Sequence, residues 1–445
     1  MDNLQGIVEN LTKCAIKKGA DQAEAFAQRV ESREVWIESN KFKTVKSAPS
    51  QGIGLRIIRK NALGFASISS LEDRFFDELC EEALAIAKAN LNDKHLIIPE
   101  ASVLSYLKDL YDPKLAALQL KEVISKAKLL LETARGYDKR VTVDSGGVFV
   151  NVGEKAVSNS NGLKAYEAET SISTLIMGMA RDKDEVSSFS MEFDGALDLS
   201  KIKIEQTAKK FAENVIRSLG ARPVKSFKGT VLFSPNAVAE TLLFPVIFGI
   251  NSQNVQKGMS RLSGKLGSQI ASKILSIEDN GILEGGLSSS TFDREGQPHQ
   301  KTVIAEDGIL QTYLYNSYTA KKDNKRSTGH ASGSYRSLPG IGTTNLVIRE
   351  GSGTKKDLIK EIKEGILVTR FSGNSNPING DFSGTVKGGF YIKNGKLDHP
   401  ITNTMIAGNV FEAILNITSV SKETQKVFSN ILPYITVEGI SITSS

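Results

Sequence analysis

The segment from Arg140 to Phe193 constrains the fold of this chain most. Its runs VTVDSGGVFVNV, KAVSNSNGLKAYEAETSISTLIMGMA and EVSSFSMEF alternate with period two, the spacing that turns one face of a strand toward a core and the other away from it. Several antiparallel strands are implied. Helical spacing surrounds them. Leu4, Ile7, Val8, Leu11, Ala15 and Ile16 predict a helix from about Asn3 to Lys18, closed by Gly19, and Leu71 to Asn90 carries Phe75, Leu79, Ala83 and Ile86 on one side. Pro113 to Arg135 opens with Asp112 as a cap and proline at the first helical position, and Ile202 to Leu219 returns to helix. Between the first two helices, Glu34 to Ser39 predicts a strand, and Gly52 to Arg59 with Leu63 to Ser69 flank Lys60-Asn61-Ala62 as a hairpin.

Gly220-Ala221-Arg222-Pro223 has the composition of a linker, which divides the chain into units 1–222 and 223–445. Beyond it, Val231 to Ser234 leads into an apolar helical run, Asn236 to Gly249, that Pro245 is expected to kink or end. Asp307-Gly308 and Asn394-Gly395 each separate two alternating runs, and these pairs suit a type I′ turn because both central residues need positive φ. Asp357 to Glu364 predicts a helix and Tyr434 to Thr443 a closing strand. The expected class is therefore α+β: an N-terminal domain of antiparallel strands with helices and a C-terminal strand-rich domain, barrel- or sandwich-like.

Composition excludes several functions. Hydrophobic residues at 40% and charged residues at 24% are ordinary for a soluble globular protein. No apolar run approaches a membrane span, and the start lacks a basic region followed by a long apolar core, so the expectation is a cytoplasmic chain without membrane contact. The charge of +6 is small against 56 basic residues, and the densest basic run, Lys321, Lys322, Lys325 and Arg326, lacks interleaved aromatics; nucleic acid is not an expected partner. Cys14 and Cys80 each lie in a helical stretch and read as buried free thiols. His95, His299, His330 and His399 are too widely spaced for a local metal motif.

Few motifs carry chemistry. Gly351 to Lys356 lacks the spacing of a phosphate loop, and Thr354 with Asp357 makes a helix cap instead. The most unusual polar loop is Arg326 to Gly333, where Thr328, Gly329 and His330 stand among small residues that let a backbone approach closely. His330 either meets a ligand or partner, or is satisfied within its loop. His299 and His399 each adjoin a proline beside a hairpin and read as turn or surface residues.

The second half resembles the TldD/PmbA family. The resemblance rests on the order of Leu262-Ser263-Gly264-Lys265-Leu266-Gly267, Ile277-Glu278-Asp279, Phe292-Asp293-Arg294-Glu295-Gly296, the Asp307-Gly308 hairpin, Ser327-Thr328-Gly329-His330-Ala331, and Asn394-Gly395 followed by Met405-Ile406-Ala407-Gly408-Asn409. It extends more loosely over the first half. Proteolytic members carry His-Glu-x-x-x-His on a helix after the first strand of the C-terminal domain and a distant cysteine; two imidazoles and a thiolate hold zinc while the glutamate takes a proton from the bound water. Here the corresponding window, Ser234 to Leu262, contains no histidine and one carboxylate, Glu240, and no cysteine follows Cys80. The resemblance thus implies a PmbA (TldE) type subunit with no catalytic or metal residues and no cofactor of its own, paired with a zinc-bearing TldD-type subunit that cleaves small or unfolded peptides. A stand-alone homodimeric peptide binder is the alternative. An older label, modulator of DNA gyrase, finds no support in these residues. The candidate binding residues are Thr328, Gly329, His330, Arg336 and Asp381; an enzyme of another class would use His330 with Arg336 or Asp381.

Overall fold

The computed structural model describes residues 3–444. The alternating segment and the strands before it form one seven-stranded antiparallel sheet. Its strands are β1 (Gln22–Glu38), β2 (Lys41–Arg59), β3 (Ala62–Ile68), β4 (Val141–Asn159), β5 (Lys164–Asp182), β6 (Glu185–Val186) and β7 (Ser190–Ala196). They lie in the order β3-β2-β1-β4-β5-β6, with β7 also on β5. Along β5 the period is visible directly, since Thr170, Ile172, Thr174, Ile176, Gly178 and Ala180 are buried and their neighbours are not. β1 is far longer than the expected Glu34 to Ser39. Its first half was masked by charged residues such as Glu24, which is buried.

Helices cover one face only. α1 (Leu4–Lys17) and α2 (Phe76–Ala89) set Leu4, Val8, Leu11 and Leu79 on Ala25, Leu55 and Ile57. The predicted helix Pro113 to Arg135 is two: α3 (Pro113–Ala116), capped by Asp112, and α4 (Leu120–Tyr137), restarted by a capping box of Gln119 and Glu122. α4 and α5 (Ile204–Arg217) set Leu130 and Phe211 on Val35, Val148 and Ile176. Ala25 and Val35 are separated by an even number of residues along β1, so both helix pairs share that face. Cys14 on α1 and Cys80 on α2 are free thiols, the first half-buried and the second buried.

The second half is a thirteen-stranded sheet that opens with β8 (Phe227–Phe233). It is open and branched, not closed into a barrel. The branch point is the final strand, Asn430–Ser444, which pairs with β8, with Leu346–Ile348, with Thr404–Asn409 and with Ile417–Val427. Phe233, Leu242, Val246, Ile366, Ile406 and Ile435 form its core.

The run after β8 stays helical through Pro245: Pro235–Val238, a π turn at Ala239–Leu243, then Phe244–Ile250. Proline removes the donor that the Thr241 carbonyl would otherwise receive, and Ser375 Oγ supplies one at 3.0 Å. The two predicted type I′ turns adopt positive φ at both central residues, Asp307 and Gly308 at 49° and 78° and Asn394 and Gly395 at 49° and 74°; the expected three-residue loop Lys60-Asn61-Ala62 is instead a two-residue turn, Lys60 and Asn61 at 51° and 58°, with Ala62 already in β3. The helix expected at Asp357 to Glu364 is Lys355–Glu361, with Thr354 and Asp357 as its capping box, while Glu364 already begins a strand.

Candidate site at the seam between the sheets

The face of the N-terminal sheet that the helices leave free lies on the C-terminal half. Phe26, Val157, Leu163 and Ala165 pack there against Phe292 and Tyr335. Four buried charges sit in this layer. Arg56 on β2 reaches Glu24 at 2.5 Å and Glu295 at 2.8 Å, and Arg294 reaches the other oxygen of Glu24 at 3.1 Å while lying 3.9 Å over the Phe26 ring. Two guanidiniums face two carboxylates, so the cluster is balanced. Burial works against the charge on Arg56, but Glu24 and Glu295 outweigh it and hold that guanidinium above its ordinary value; Arg294 is pushed down to about 10 by burial that Glu24 only partly offsets. The turn carrying Arg294 and Glu295 is held by Asp293, which accepts from the backbone N–H of Glu295, Gln297 and Ala331. Gly296 closes it at φ 74°, where a Cβ would stand 2.4 Å from Leu163. Lys155 on β4 adds a second tie, with Glu167 at 3.0 Å and Ser290 at 2.8 Å.

Beside this cluster lies a cleft of about 810 Å³. Arg56 and Ile58 of β2 form one wall, residues 90–97 a second, and Gln253, Asn316, Tyr318 and Leu338 of the C-terminal half the third. Asp93 fixes the second wall to the third: it accepts from Tyr318 Oη at 2.7 Å and from the His95 backbone N–H at 2.8 Å. Burial raises the Asp93 carboxyl, but the donors of His95 and Tyr318 prevail and hold it below its usual range, while Tyr318 is pushed up to about 12 by burial and by Asp93. Leu91 and Leu338 stand exposed at the rim. The amides of Asn90, Asn92 and Gln253, the charged Lys94 and the exposed leucines together offer an extended chain hydrogen bonds, charge and apolar contact, while the Asn316 amide is held within the protein by Thr319 and Pro339.

The structure brings some of the sequence-derived candidates together. Thr328 Oγ1 contacts His330 Nδ1 at 2.8 Å, and His330 Nε2 meets Asp279 Oδ1 at 3.1 Å; Asp279 also accepts from the Thr344 N–H at 2.8 Å and from its hydroxyl. His330 is 2% exposed, and Gly329 at φ 71° admits the Pro298 carbonyl where a Cβ would stand 2.3 Å from it. Both ring nitrogens are thus engaged behind the Asp293 turn. Arg336 sits elsewhere on the seam, donating to Tyr335 Oη at 2.8 Å and Ser69 Oγ at 3.1 Å. Asp381 belongs to the strand Asp381–Lys387, bonded to Asn379 and Asn409, and among the described residues shares no hydrogen bond with the other four. His299 is corrected: it is buried, and burial, with Lys155 and His330 nearby, pushes it down to about 4. His399 lies in the strand Lys396–Ile401 against Asp398 at 2.8 Å. Sequence reasoning missed Glu24 and Arg56, whose one signal is a charge at a position where the alternation calls for an apolar residue.

Three family models match nearly the whole chain: PmbA/TldA metallopeptidase domain 1 over residues 23–87, the central domain over 113–219 and the C-terminal domain over 226–444. The chain belongs to the PmbA/TldD metallopeptidase family. An uncharacterized protein of Methanocaldococcus jannaschii is 30% identical over 91% of this chain and 92% of its own length. Metalloprotease PmbA of Escherichia coli O157:H7 is 28% identical over 91% and 88%. The crystal structure of TldE from Thermococcus kodakarensis superposes with a TM-score of 0.91 at 27% identity, covering 98% of this chain and all of that one. The first two matched domains share one sheet here, β1 to β3 coming from the one and β4 to β7 from the other.

Against the PmbA/TldD metal pattern, the helix after β8 presents no matching donor set. Its carboxylate, Glu240, accepts from Arg370 Nε at 2.7 Å and from the Phe371 N–H at 2.6 Å; burial raises it and Arg370 opposes that. A glutamate so occupied, with amide and hydroxyl neighbours and no imidazole or thiol, does not fit a zinc site. Among the described residues no three His, Cys, Asp or Glu side chains form a metal-holding group, and no helix is long and apolar enough to cross a membrane.

Proposed function

We propose that this chain is a PmbA/TldE-like subunit of a metallopeptidase that cleaves small or unfolded peptides, with no zinc site of its own, acting with a TldD-type partner that holds the zinc. The observation that carries this reading is the Glu240–Arg370 pair: the helix on which the family builds its metal motif keeps one carboxylate, and that carboxylate is spent on an arginine and a backbone N–H. The chain's contribution is to hold substrate. The seam cleft, with the amides of Asn90, Asn92 and Gln253 and the exposed Leu91 and Leu338 on its walls, takes an extended peptide. Two free thiols suit a reducing compartment, and we place the protein in the cytoplasm.

Metal analysis and a peptidase assay on unstructured peptides test the reading, with the chain alone and mixed with a TldD-type subunit. The expected result is no stoichiometric zinc and no cleavage alone, and chelator-sensitive cleavage on mixing. Zinc and cleavage in the isolated chain would overturn it. Peptide binding by a homodimer, with no activity gained on mixing, would favour a stand-alone binder instead.

A further inference from the structure

β3 covers only the second part of β2. The ladder between them runs from Ile53 with Ile68 to Arg59 with Ala62, so from Lys41 to Gln51 β2 has β1 on one side and, among the described residues, no strand on the other. Alternate N–H and C=O groups along this stretch face outward unpaired. Bulges, lysines and proline guard an edge against indiscriminate pairing, and this one carries all three: Lys43 is an extra residue between the pairs Trp36–Thr44 and Ile37–Phe42, Lys41 and Lys46 flank it, and Pro49 lacks an N–H.

Its side chains are not those of a merely solvated edge. Phe42 and Val45 are 42% and 43% exposed, yet they lie opposite Ile37 and Val35, which are buried core residues under the α4 and α5 layer. The helix-covered core stops one strand short of the sheet's edge. Lys41, Lys43 and Lys46 punctuate the same stretch, and residues 41–51 include no carboxylate. The balancing acids are on β1, where Glu38 pairs with Lys43 and Glu34 stands opposite Lys46.

That charge pattern selects the occupant. A second copy of this chain, paired antiparallel so that residues 41–51 overlap completely with themselves, would place Lys46 at the two-fold facing Lys46, and Pro49, which lacks an N–H, opposite Lys43. Like charges directly opposite oppose that pairing. A strand with carboxylates at alternate positions would instead face Lys41 and Lys46, which the bulge at Lys43 sets on one face opposite Glu38 and Glu34, while its intervening apolar residues cover Phe42 and Val45 on the other and its backbone satisfies the outward groups. We propose that the Lys41–Gln51 edge of β2 is a docking surface that takes an acidic extended strand of another protein chain by strand addition. The proposal does not depend on the zinc or cleft readings.

The test uses the purified full chain and two synthetic strand peptides of about ten residues, one alternating glutamate with valine and one alternating lysine with valine, read by fluorescence anisotropy at low and high salt. The acidic peptide should bind, more weakly at high salt, and the basic peptide should not. The charge-reversed variant K41E/K43E/K46E should lose about tenfold in affinity for the acidic peptide and gain affinity for the basic one; because its new carboxylates face Glu34 and Glu38, circular dichroism checks that it stays folded at the assay temperature, and the gain for the basic peptide is a readout that unfolding would not produce. Equal binding of both peptides, no binding of the acidic one, or an affinity for it that the variant leaves intact would overturn the proposal. So would disulfide crosslinking between two copies carrying Val45→Cys, which would assign the edge to self-pairing.

Discussion

The two halves of β2 pair with the same strand and meet different fates. From Gln22 opposite Ile58 to Glu38 opposite Lys41 the ladder to β1 is nearly continuous, yet Ile53 to Ile58 are buried and Lys41 to Gln51 are almost wholly exposed. Strand pairing is common to both, so it is not what buries the second half. Three neighbours are. β3 closes the edge, α1 and α2 cover one face, and the C-terminal half presses the other closely enough that a Cβ on Gly54 would stand 2.2 Å from the Tyr335 carbonyl. Arg56 then anchors that contact through Glu24 and Glu295.

The largest expected effect tests this anchor. Arg56→Met should lower unfolding free energy by about 3–5 kcal/mol, because it strands the buried Glu295 carboxylate and leaves Glu24 with Arg294 alone, and urea denaturation would measure it. Combining it with Glu295→Gln should restore part of the loss, since Glu24 and Arg294 then remain as a balanced pair and no buried charge of the cluster is left without a partner. A loss under about 1 kcal/mol would mean that the buried half owes little to the ion cluster and that apolar cover alone distinguishes it.

A second effect concerns pH. His299 follows the Asp293 turn in the segment that grips the N-terminal sheet, and burial holds it at about 4 against an ordinary 6.5. Above both values the folded and unfolded chains carry the same neutral ring. As pH falls from about 6.5, the unfolded chain takes up the proton and the folded one resists, so stability is lost progressively until about pH 4, by at most about 3 kcal/mol. His299→Asn should flatten the stability profile across that window relative to the unmodified protein, whereas the exposed half of β2 contains no group that titrates there. Parallel profiles for the two proteins would remove His299 from the grip.

What the sequence made legible follows from the same contrast. Period-two runs exposed β4 and β5 because one face meets helices and the other stays partly open, so polar and apolar residues alternate. The Asp307-Gly308 and Asn394-Gly395 turns were readable because their backbone requires such residues, whereas Ser39-Asn40 and Lys60-Asn61 adopt positive φ at both positions without the glycine that signals it. β1 was truncated to its last residues for a physical reason: Ala23 to Ala27 lie between a helix-covered core and a charged seam, Gln28 to Arg33 are buried on neither face, and Glu24 looks like a solvent residue until Arg56 and Arg294 are placed beside it. The exposed half of β2 was missed for the opposite reason, since with nothing covering it no hydrophobic pattern is needed. His330 drew attention as an isolated imidazole, but Asp279, which engages it, lies 51 residues earlier and no local pattern links them. His299 was misplaced because a proline neighbour signals a turn and says nothing of what packs over it.

The smallest expected effect is the one that isolates cover from pairing. Lys43 is ion-paired with Glu38, but their side chains are 61% and 44% exposed, so solvent screens the attraction and both chains remain free to leave it. Lys43→Ala should therefore change unfolding free energy by no more than about 0.5 kcal/mol, measured by the same urea titration as Arg56→Met. Both positions are basic, both sit on β2 and both contact a glutamate of β1. A cost for Lys43 approaching that of Arg56 would show that the salt bridges themselves stabilise this strand, whereas a negligible cost assigns the difference to what lies over Arg56 and is absent over Lys43.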